Sequence, residues 1–144
     1  MPRIDDPAPT LDEARQLLAD AGLPTDDLAD EARLRLFGIR DGGRLIGVVG
    51  VQPLDAAALL RSLAVVPEAR DRGAGALLVA AAEGHARKSG CNEVYLLTTG
   101  AAEYFARRGY QAISRDDAPA ALRATRQFAH LCPSSATVMR KRLG

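Results

Sequence analysis

The sequence predicts an α+β fold in which one mixed, mostly antiparallel β-sheet is flanked by helices. Residues 33–66 have the alternating, β-branched pattern of three antiparallel strands, and Asp41-Gly42-Gly43 marks the first turn. Residues 58–99 then read as strand, helix, strand, which requires a parallel pair joined by a crossover. At 144 residues the chain fits a single domain, residues 1–144.

The first half of the chain supplies a helix and the strand meander. Thr10 and Glu13 form a capping box, so a helix is expected over 10–22, ending at Gly22. Residues 3–5 are either a short strand or a loose end, and 23–32 form a polar connection with room for a second short helix. The predicted strands are 33–40, 44–54 and 58–66, the last being apolar enough to be central.

The second half alternates between helix and strand after a glycine-containing loop. Glycines stop the two clearest helices of this half. The predicted elements are helix 76–90, strand 92–99, helix 101–109, strand 110–114, an interrupted helix at 118–132 and a last strand at 135–143.

Composition indicates a soluble, globular, cytoplasmic protein. Apolar residues make up 47%, charged residues 26%, and the net charge is +1, which favours neither a nucleic-acid nor a membrane partner. No signal peptide or membrane-spanning run is recognised. Cys91 and Cys132 lack zinc-site spacing, so we expect buried thiols and no metal.

The stretch Arg70-Asp71-Arg72-Gly73-Ala74-Gly75 lies between a strand and a helix, where free N–H groups and the positive helix end bind anions. A Walker A loop requires Lys-Ser/Thr after the second glycine, where this chain has Ala76-Leu77. A dinucleotide fingerprint requires Gly or Ala at position 78, which is leucine. Both nucleotide motifs are therefore excluded.

The pattern V-x-P-x-x-R-x-x-G-x-G, which starts at Val65, resembles the acetyl-CoA motif of the GNAT superfamily of N-acetyltransferases. The later stretch Ala101–Tyr110, with Tyr104-Phe105 and a terminal Gly-Tyr, extends the resemblance. It implies the GNAT fold, an α/β/α sandwich with a twisted sheet of six to seven strands. It also implies that parallel strands at about 58–66 and 93–99 splay to admit the pantetheine arm.

The resemblance implies that acetyl-CoA is the co-substrate and that backbone N–H groups of the loop bind its pyrophosphate. Thr98 stands where the family often has an asparagine that contacts pantetheine. The implied cofactor-binding residues are Leu63, Ala64, Val65, Arg70, Asp71, Arg72, Gly73, Ala74, Gly75, Ala76, Thr98, Phe105 and Arg108.

The family's usual general acid falls at Phe105, which has no proton to give. Tyr104 is adjacent, but one helical step rotates a side chain by about 100°. Either Tyr104 or solvent therefore protonates the CoA thiolate, while the Val65 N–H is the expected oxyanion contact. The general base stays open: residues 60–63 contain no carboxylate, His85 is expected to be exposed, and His130 is either a base or a surface residue.

Arg61 brings a cation to the expected acceptor site, which favours an acidic amine such as an amino acid. Ser62 and Arg126 complete the candidate acceptor contacts. The C-terminal segment 123–141 resembles the arsenic-resistance-associated ArsN-type subgroup, which implies a glutamate analogue containing arsenic or phosphorus. The alternative is a CoA-binding sensor without turnover, and a homodimer through the last strand is compatible with either.

Overall fold

The computed structural model describes residues 3–5, 8–23, 33–125 and 136–143, with the side chains of Arg3, Asp71 and Arg72 left out. Helices and strands alternate along most of this range. In chain order they are β1 (Arg3–Ile4), α1 (Leu11–Asp20), β2 (Arg35–Asp41), β3 (Arg44–Leu54), β4 (Ala57–Val65), α2 (Ala74–Lys88), β5 (Glu93–Thr98), α3 (Ala102–Ala106), β6 (Gln111–Ile113), α4 (Ala120–Arg123) and β7 (Thr137–Arg142).

The strands form one seven-stranded sheet in the order β1-β2-β3-β4-β5-β7-β6. The β4–β5 pair is parallel, and α2 connects the two strands. The other neighbouring strands within the described residues run antiparallel. The predicted mixed sheet with one parallel pair is confirmed.

Alternation along the strands distributes the core between the two faces of the sheet. Val49 and Val51 face the helix α2 and pack in the larger cluster with Leu78. Val48, which precedes Val49 in the strand, faces the other side and packs against Leu18 of α1. A third cluster, around Leu59 and Leu122, brings α4 to the sheet. The sheet therefore lies between two helical layers, as the α/β/α prediction requires.

Helix α1 is attached to the sheet by a charged contact as well as by apolar packing. Thr10 and Glu13 form the predicted capping box. The Glu13 carboxylate also accepts hydrogen bonds from both terminal nitrogens of Arg40, at 2.8 and 3.0 Å. Arg40 is 7% exposed and belongs to β2. The bidentate geometry fixes the start of α1 relative to the strand.

Most predicted boundaries agree with the structure to within two residues. Helix α2 begins at Ala74, two residues before the predicted start, so Gly75 belongs to the helix. The predicted interrupted helix at 118–132 contains α4 and lies partly outside the described residues, as do most of the connection at 23–32 and Cys132. Cys91 is a buried free thiol, as expected. Within the described part of the chain, no helix combines the length and hydropathy of a membrane span.

The Glu13–Arg40 contact predicts a specific loss of stability in acid. Hydrogen bonding by Arg40 lowers the pKa of Glu13 from its ordinary 4.5 to about 2. The unfolded chain therefore binds more protons between these values, so the contribution of Glu13 is present above pH 4.5 and is lost as the pH falls to about 2. In urea unfolding followed by circular dichroism, E13Q should be less stable than wild type at pH 7, with the gap closing towards pH 2.

D12N is the matched control for this measurement. Asp12 lies in the same helical turn and is 97% exposed, with only a 4.0 Å pair to Arg15. Its substitution removes the same charge while leaving the Arg40 contact in place, so its effect at pH 7 should be smaller. A difference in unfolding free energy between wild type and E13Q that stays the same from pH 7 to pH 2 would contradict the account.

Candidate active site

The parallel strands β4 and β5 separate after three residue pairs. The last pair is Leu59 with Tyr95, yet β4 continues to Val65 and β5 to Thr98. On its other side, β5 stays paired with β7 along its whole length. The sheet is therefore intact around the separation, which opens a cleft between the ends of β4 and β5.

A β-bulge in β4 lies where the two strands part. The register with β3 shifts between Val48/Ala64 and Gly50/Arg61, so Ser62 and Leu63 together oppose Val49. Ser62 adopts the left-handed conformation with φ 59°, a strained region for a serine. Because a bulge bends the strand that carries it, this feature helps to turn β4 away from β5. The sequence analysis did not predict it.

The cleft has a volume of about 750 Å³, within the range of small-molecule sites. It brings together predicted residues from three regions of the chain. Those that line it are Arg61, Ser62, Leu63, Arg70, Thr98, Tyr104 and Phe105. The residues Ala21–Leu23, at the end of α1, also line it and were not predicted, because nothing in their sequence indicates a ligand.

Successive residues at the end of β4 direct their backbone N–H and C=O groups alternately towards β3 and away from it. The Val66 N–H donates to the Ile46 carbonyl of β3 at 2.9 Å. Since bonded and non-bonded pairs alternate in antiparallel strands, Ala64 is also bonded to β3, and the N–H and C=O of Val65 point away from β3, to the side on which β4 and β5 separate. The side chain of Ala64 packs against α1. These contacts do not fit the expected contact of Ala64 with the cofactor, whereas those expected of Leu63 and Val65 stay predictions.

The glycine loop forms a 3₁₀ turn over Pro67–Arg72 that leads directly into α2. Gly73 joins the two with φ 77°, a left-handed conformation that favours glycine. The first intrahelical bond runs from the Leu77 N–H to the Gly73 carbonyl at 3.1 Å. The N–H groups of Ala74, Gly75 and Ala76 thus have no acceptor within the helix. The first turn contains no acidic residue, so the positive helix end is available to an anion.

Gly75 is required for a different reason from Gly73. It has ordinary helical geometry, but a Cβ at this position would lie 2.1 Å from the Tyr104 hydroxyl oxygen. A Cβ on Gly73 would instead meet open space. The first glycine of the motif therefore provides backbone conformation, and the second makes room for Tyr104.

Arg70 closes the loop end of the cleft. Its Nε donates to the Val65 carbonyl at 3.1 Å, although the side chain is exposed. This contact ties the loop to the last residue of β4 and holds a cation at the cleft rim. Arg70 was predicted to act mainly through its backbone, and the structure adds this side-chain role.

Thr98 braces the turn between β5 and α3. Its hydroxyl oxygen accepts hydrogen bonds from the N–H of Ala101 at 2.9 Å and from that of Gly100 at 3.4 Å. Because both contacts use the oxygen as acceptor, the hydroxyl proton is still available as a donor. Thr98 lines the cleft, a position compatible with its predicted contact with a pantetheine amide.

The two aromatic residues of α3 point to different places. Phe105 is 6% exposed, belongs to the main core cluster and packs edge-on against Tyr110, with ring centroids 5.6 Å apart. The Tyr104 ring is half-buried, and its hydroxyl lies against Gly75. The guanidinium of Arg108 stacks 3.7 Å from the Tyr104 ring centroid. Arg108 thus supports Tyr104, and its contact with the cofactor stays a prediction.

Arg61 brings a buried cation to the acceptor side of the cleft. It is 3% exposed, and its Nε donates to the Ser62 hydroxyl at 3.1 Å. The bulge places both side chains on the cleft lining. A guanidinium in a confined site is suited to bidentate binding of a carboxylate. Arg126, the third predicted acceptor contact, lies outside the described residues.

A buried charged network holds the far side of α2. The Glu83 carboxylate accepts a hydrogen bond from the Tyr110 hydroxyl at 2.9 Å and pairs with Lys141 of β7 at 3.1 Å. Burial, together with the charge of Glu83, raises the pKa of Tyr110 well above its ordinary value. The network fixes α2 against the β7 side of the sheet and lies apart from the residues that line the cleft.

Neither histidine is a described member of the cleft. His85 is half-buried on α2, with its ring centroid 5.8 Å from that of Phe37, rather than exposed as expected. Burial, followed by the nearby Arg35 charge, lowers the pKa of His85. His130, the predicted candidate base, falls outside the described residues.

Known proteins resemble this chain in sequence and in fold. The model of the acetyltransferase (GNAT) family matches residues 4–111. An uncharacterised N-acetyltransferase from Chlorobaculum tepidum is 44% identical over 60 residues, 42% of this chain and 38% of that protein. An amino-acid acetyltransferase from Neisseria meningitidis is 42% identical over 57 residues, 40% of this chain and 13% of that protein.

Among solved structures, N-acetylglutamate synthase from Neisseria gonorrhoeae, complexed with coenzyme A and N-acetylglutamate, has a TM-score of 0.82. The match covers 100% of this chain and 35% of that one at 22% identity. It therefore shows a shared fold. The matched segments span well under half of each of these three proteins.

The contact between Gly75 and Tyr104 predicts a coupling between substitutions at the two positions. G75A puts a methyl group 2.1 Å from the Tyr104 hydroxyl oxygen, whereas the next atom, Cζ, is 3.2 Å away. In a double-mutant cycle measured by urea unfolding, Y104F should therefore restore about 1–2 kcal/mol of the stability lost in G75A.

G73A is the control for this cycle. It loses about 1–2 kcal/mol because alanine resists the left-handed conformation, and Y104F should not restore that loss. Equal effects of G75A with and without the Tyr104 hydroxyl would contradict the assigned contact.

Proposed function

Because this chain belongs to the acetyltransferase (GNAT) family, we propose that it is an acetyl-CoA-dependent N-acetyltransferase acting on a small, acidic amine. One observation carries the proposal. The start of α2, whose first three N–H groups have no acceptor within the helix, lies beside the loop end of the cleft between β4 and β5, and a buried guanidinium, Arg61, lies on the cleft lining. Such a site suits an anionic, extended cofactor and a small acceptor with a negative charge.

The cofactor follows from the shape and polarity of the cleft. Its pyrophosphate binds the N–H groups of Ala74, Gly75 and Ala76, helped by the helix end and by Arg70. The pantetheine arm lies along the free edge of β4 as an added strand would, and its amides pair with backbone groups other than the Val65 N–H, which is left for the oxyanion. Thr98 offers a hydroxyl from the opposite wall.

The buried guanidinium of Arg61 supports an acceptor that carries a negative charge. The Arg61 guanidinium is 3% exposed and lies on the cleft lining. It attracts a carboxylate and repels a cationic lysine side chain. An amino acid presented by its carboxylate brings a neutral amine to the thioester. The N. meningitidis relative is named an amino-acid acetyltransferase, which supports this class of acceptor.

The reaction requires no covalent enzyme intermediate. The acceptor nitrogen attacks the thioester carbonyl, forming the C–N bond, and the C–S bond then breaks. Backbone N–H groups of the β4 edge, including that of Val65, stabilise the oxyanion. The amine proton leaves to water. Solvent protonates the thiolate, because Phe105 has no proton and the Tyr104 hydroxyl lies against α2.

The resemblance to the ArsN-type subgroup narrows the acceptor to glutamate analogues that contain arsenic or phosphorus. An arsinyl or phosphinyl group is anionic and tetrahedral, so it offers two oxygens to a guanidinium fork as a carboxylate does. This finer assignment is part of the proposal and is tested below by the choice of acceptors.

A CoA-binding sensor without turnover is the second candidate. Phe105 favours it, since the buried phenyl ring occupies the position at which the family's usual acid would lie. A sensor binds CoA and releases no thiol with any acceptor. An acyltransferase releases thiol in proportion to acetylated product.

An acceptor screen separates the two candidates. The purified chain is mixed with acetyl-CoA and single acceptors, and free thiol is followed by a chromogenic reagent while product is identified by mass spectrometry. The panel contains glutamate, its phosphinate and arsenic analogues, glutamine and lysine. We expect turnover with the anionic acceptors and little with lysine. CoA binding with no turnover across the panel would support the sensor.

Substitution of Arg61 tests the acceptor contact. R61Q should raise the KM for an acidic acceptor about tenfold or more, since a charged hydrogen-bonded partner is lost. R61K keeps the positive charge but loses the two-pronged guanidinium, so its KM for the acceptor should lie between those of wild type and R61Q. The KM for acetyl-CoA should be unchanged in both variants, which also reports correct folding. An unchanged acceptor KM in R61Q would refute the contact.

A further inference from the structure

The Tyr104 hydroxyl occupies an unusual place beside the first turn of α2. A Cβ built on Gly75 would lie 2.1 Å from this oxygen. The neighbouring N–H groups of Ala74, Gly75 and Ala76 have no acceptor within the helix. No described residue accepts a hydrogen bond from the hydroxyl. The Tyr104 hydroxyl, itself a donor, thus lies beside backbone N–H donors, and no described residue supplies an acceptor for the hydroxyl.

Contacts on both sides hold the Tyr104 ring in this position. The Arg108 guanidinium stacks 3.7 Å from the ring centroid, and its Nη1 donates to the Tyr104 carbonyl at 3.1 Å. The Phe105 ring meets it edge-on, with centroids 5.2 Å apart. The hydroxyl is therefore pre-positioned before any ligand binds.

The surroundings of the hydroxyl favour an anion. Tyr104 and Arg70 line the same cleft, and the α2 end has no acidic residue in its first turn. A ligand oxygen there meets backbone donors, a cationic rim and the tyrosine hydroxyl together. Phosphate oxygens are acceptors of this kind, whereas a thiolate at the far end of a pantetheine arm lies away from the helix end.

We propose that Tyr104 is a cofactor-binding residue whose hydroxyl donates a hydrogen bond to the diphosphate of CoA, with Arg108 as its positioning residue. The inference rests on the proposed function and deepens it at the phosphate end of the site. It replaces the expectation that Tyr104 acts as the general acid. It also explains why glycine is needed at position 75, because the hydroxyl occupies the place of a side chain.

Two ligands that differ in their phosphates test this role. Isothermal titration measures CoA and pantetheine, which lacks the diphosphate and the nucleotide, against wild type and Y104F. We expect Y104F to weaken CoA binding about tenfold, the loss of one hydrogen bond to a charged group. Pantetheine should bind equally to both. With acetyl-CoA as substrate, we expect its KM to rise by a similar factor, so that kcat/KM falls mainly through KM.

Y110F is the matched control, since it deletes the hydroxyl of another tyrosine, one that bonds to Glu83 away from the cleft lining. It should leave the affinity for CoA unchanged at a temperature where it is folded. A Y104F variant that binds CoA as tightly as wild type would overturn the inference alone.

A fall in kcat with unchanged CoA affinity would instead assign Tyr104 as the acid and also overturn the inference. Failure of the wild type to bind CoA would overturn the inference and the proposed function together.

Discussion

The separation of β4 from β5 is the constraint on which the rest of this structure depends. Parallel strands normally pair along their shared length, because unpaired backbone groups cost free energy when they are buried. Here pairing stops at Leu59 and Tyr95. The bulge at Ser62 and Leu63 bends β4, while β7 keeps β5 in the sheet. The unpaired edge is left open to a cleft that a ligand with amides of its own can fill.

The polar and charged groups around this cleft lie at two ends. The loop end has the free N–H groups of α2, the side chain of Arg70 and the hydroxyl of Tyr104. The acceptor side has the buried Arg61 beside Ser62. The supporting contacts lie behind these groups. Arg108 holds Tyr104, and the pair of Glu83 with Lys141 holds α2.

Sequence reasoning located the fold, the loop and part of the cleft lining, because these depend on local patterns. The capping box of Thr10 and the turn at Gly42 and Gly43 each follow from neighbouring residues. The bulge at Ser62 could not be predicted, since serine carries no preference for φ 59°. The direction of Tyr104 could not be predicted either. It depends on a contact with Gly75 and on Arg108, residues that come together only in the folded chain.

The central claim is that CoA binds the free edge of β4 and the start of α2. The most direct measurement is an NMR titration of the ¹⁵N-labelled protein with CoA, following backbone amides. The amides of Val65, Ala74, Gly75 and Ala76 should shift together in a saturable manner, while that of Phe37, on the distant strand β2, should not. Saturable shifts confined to other amides, or no shifts at all, would contradict the account.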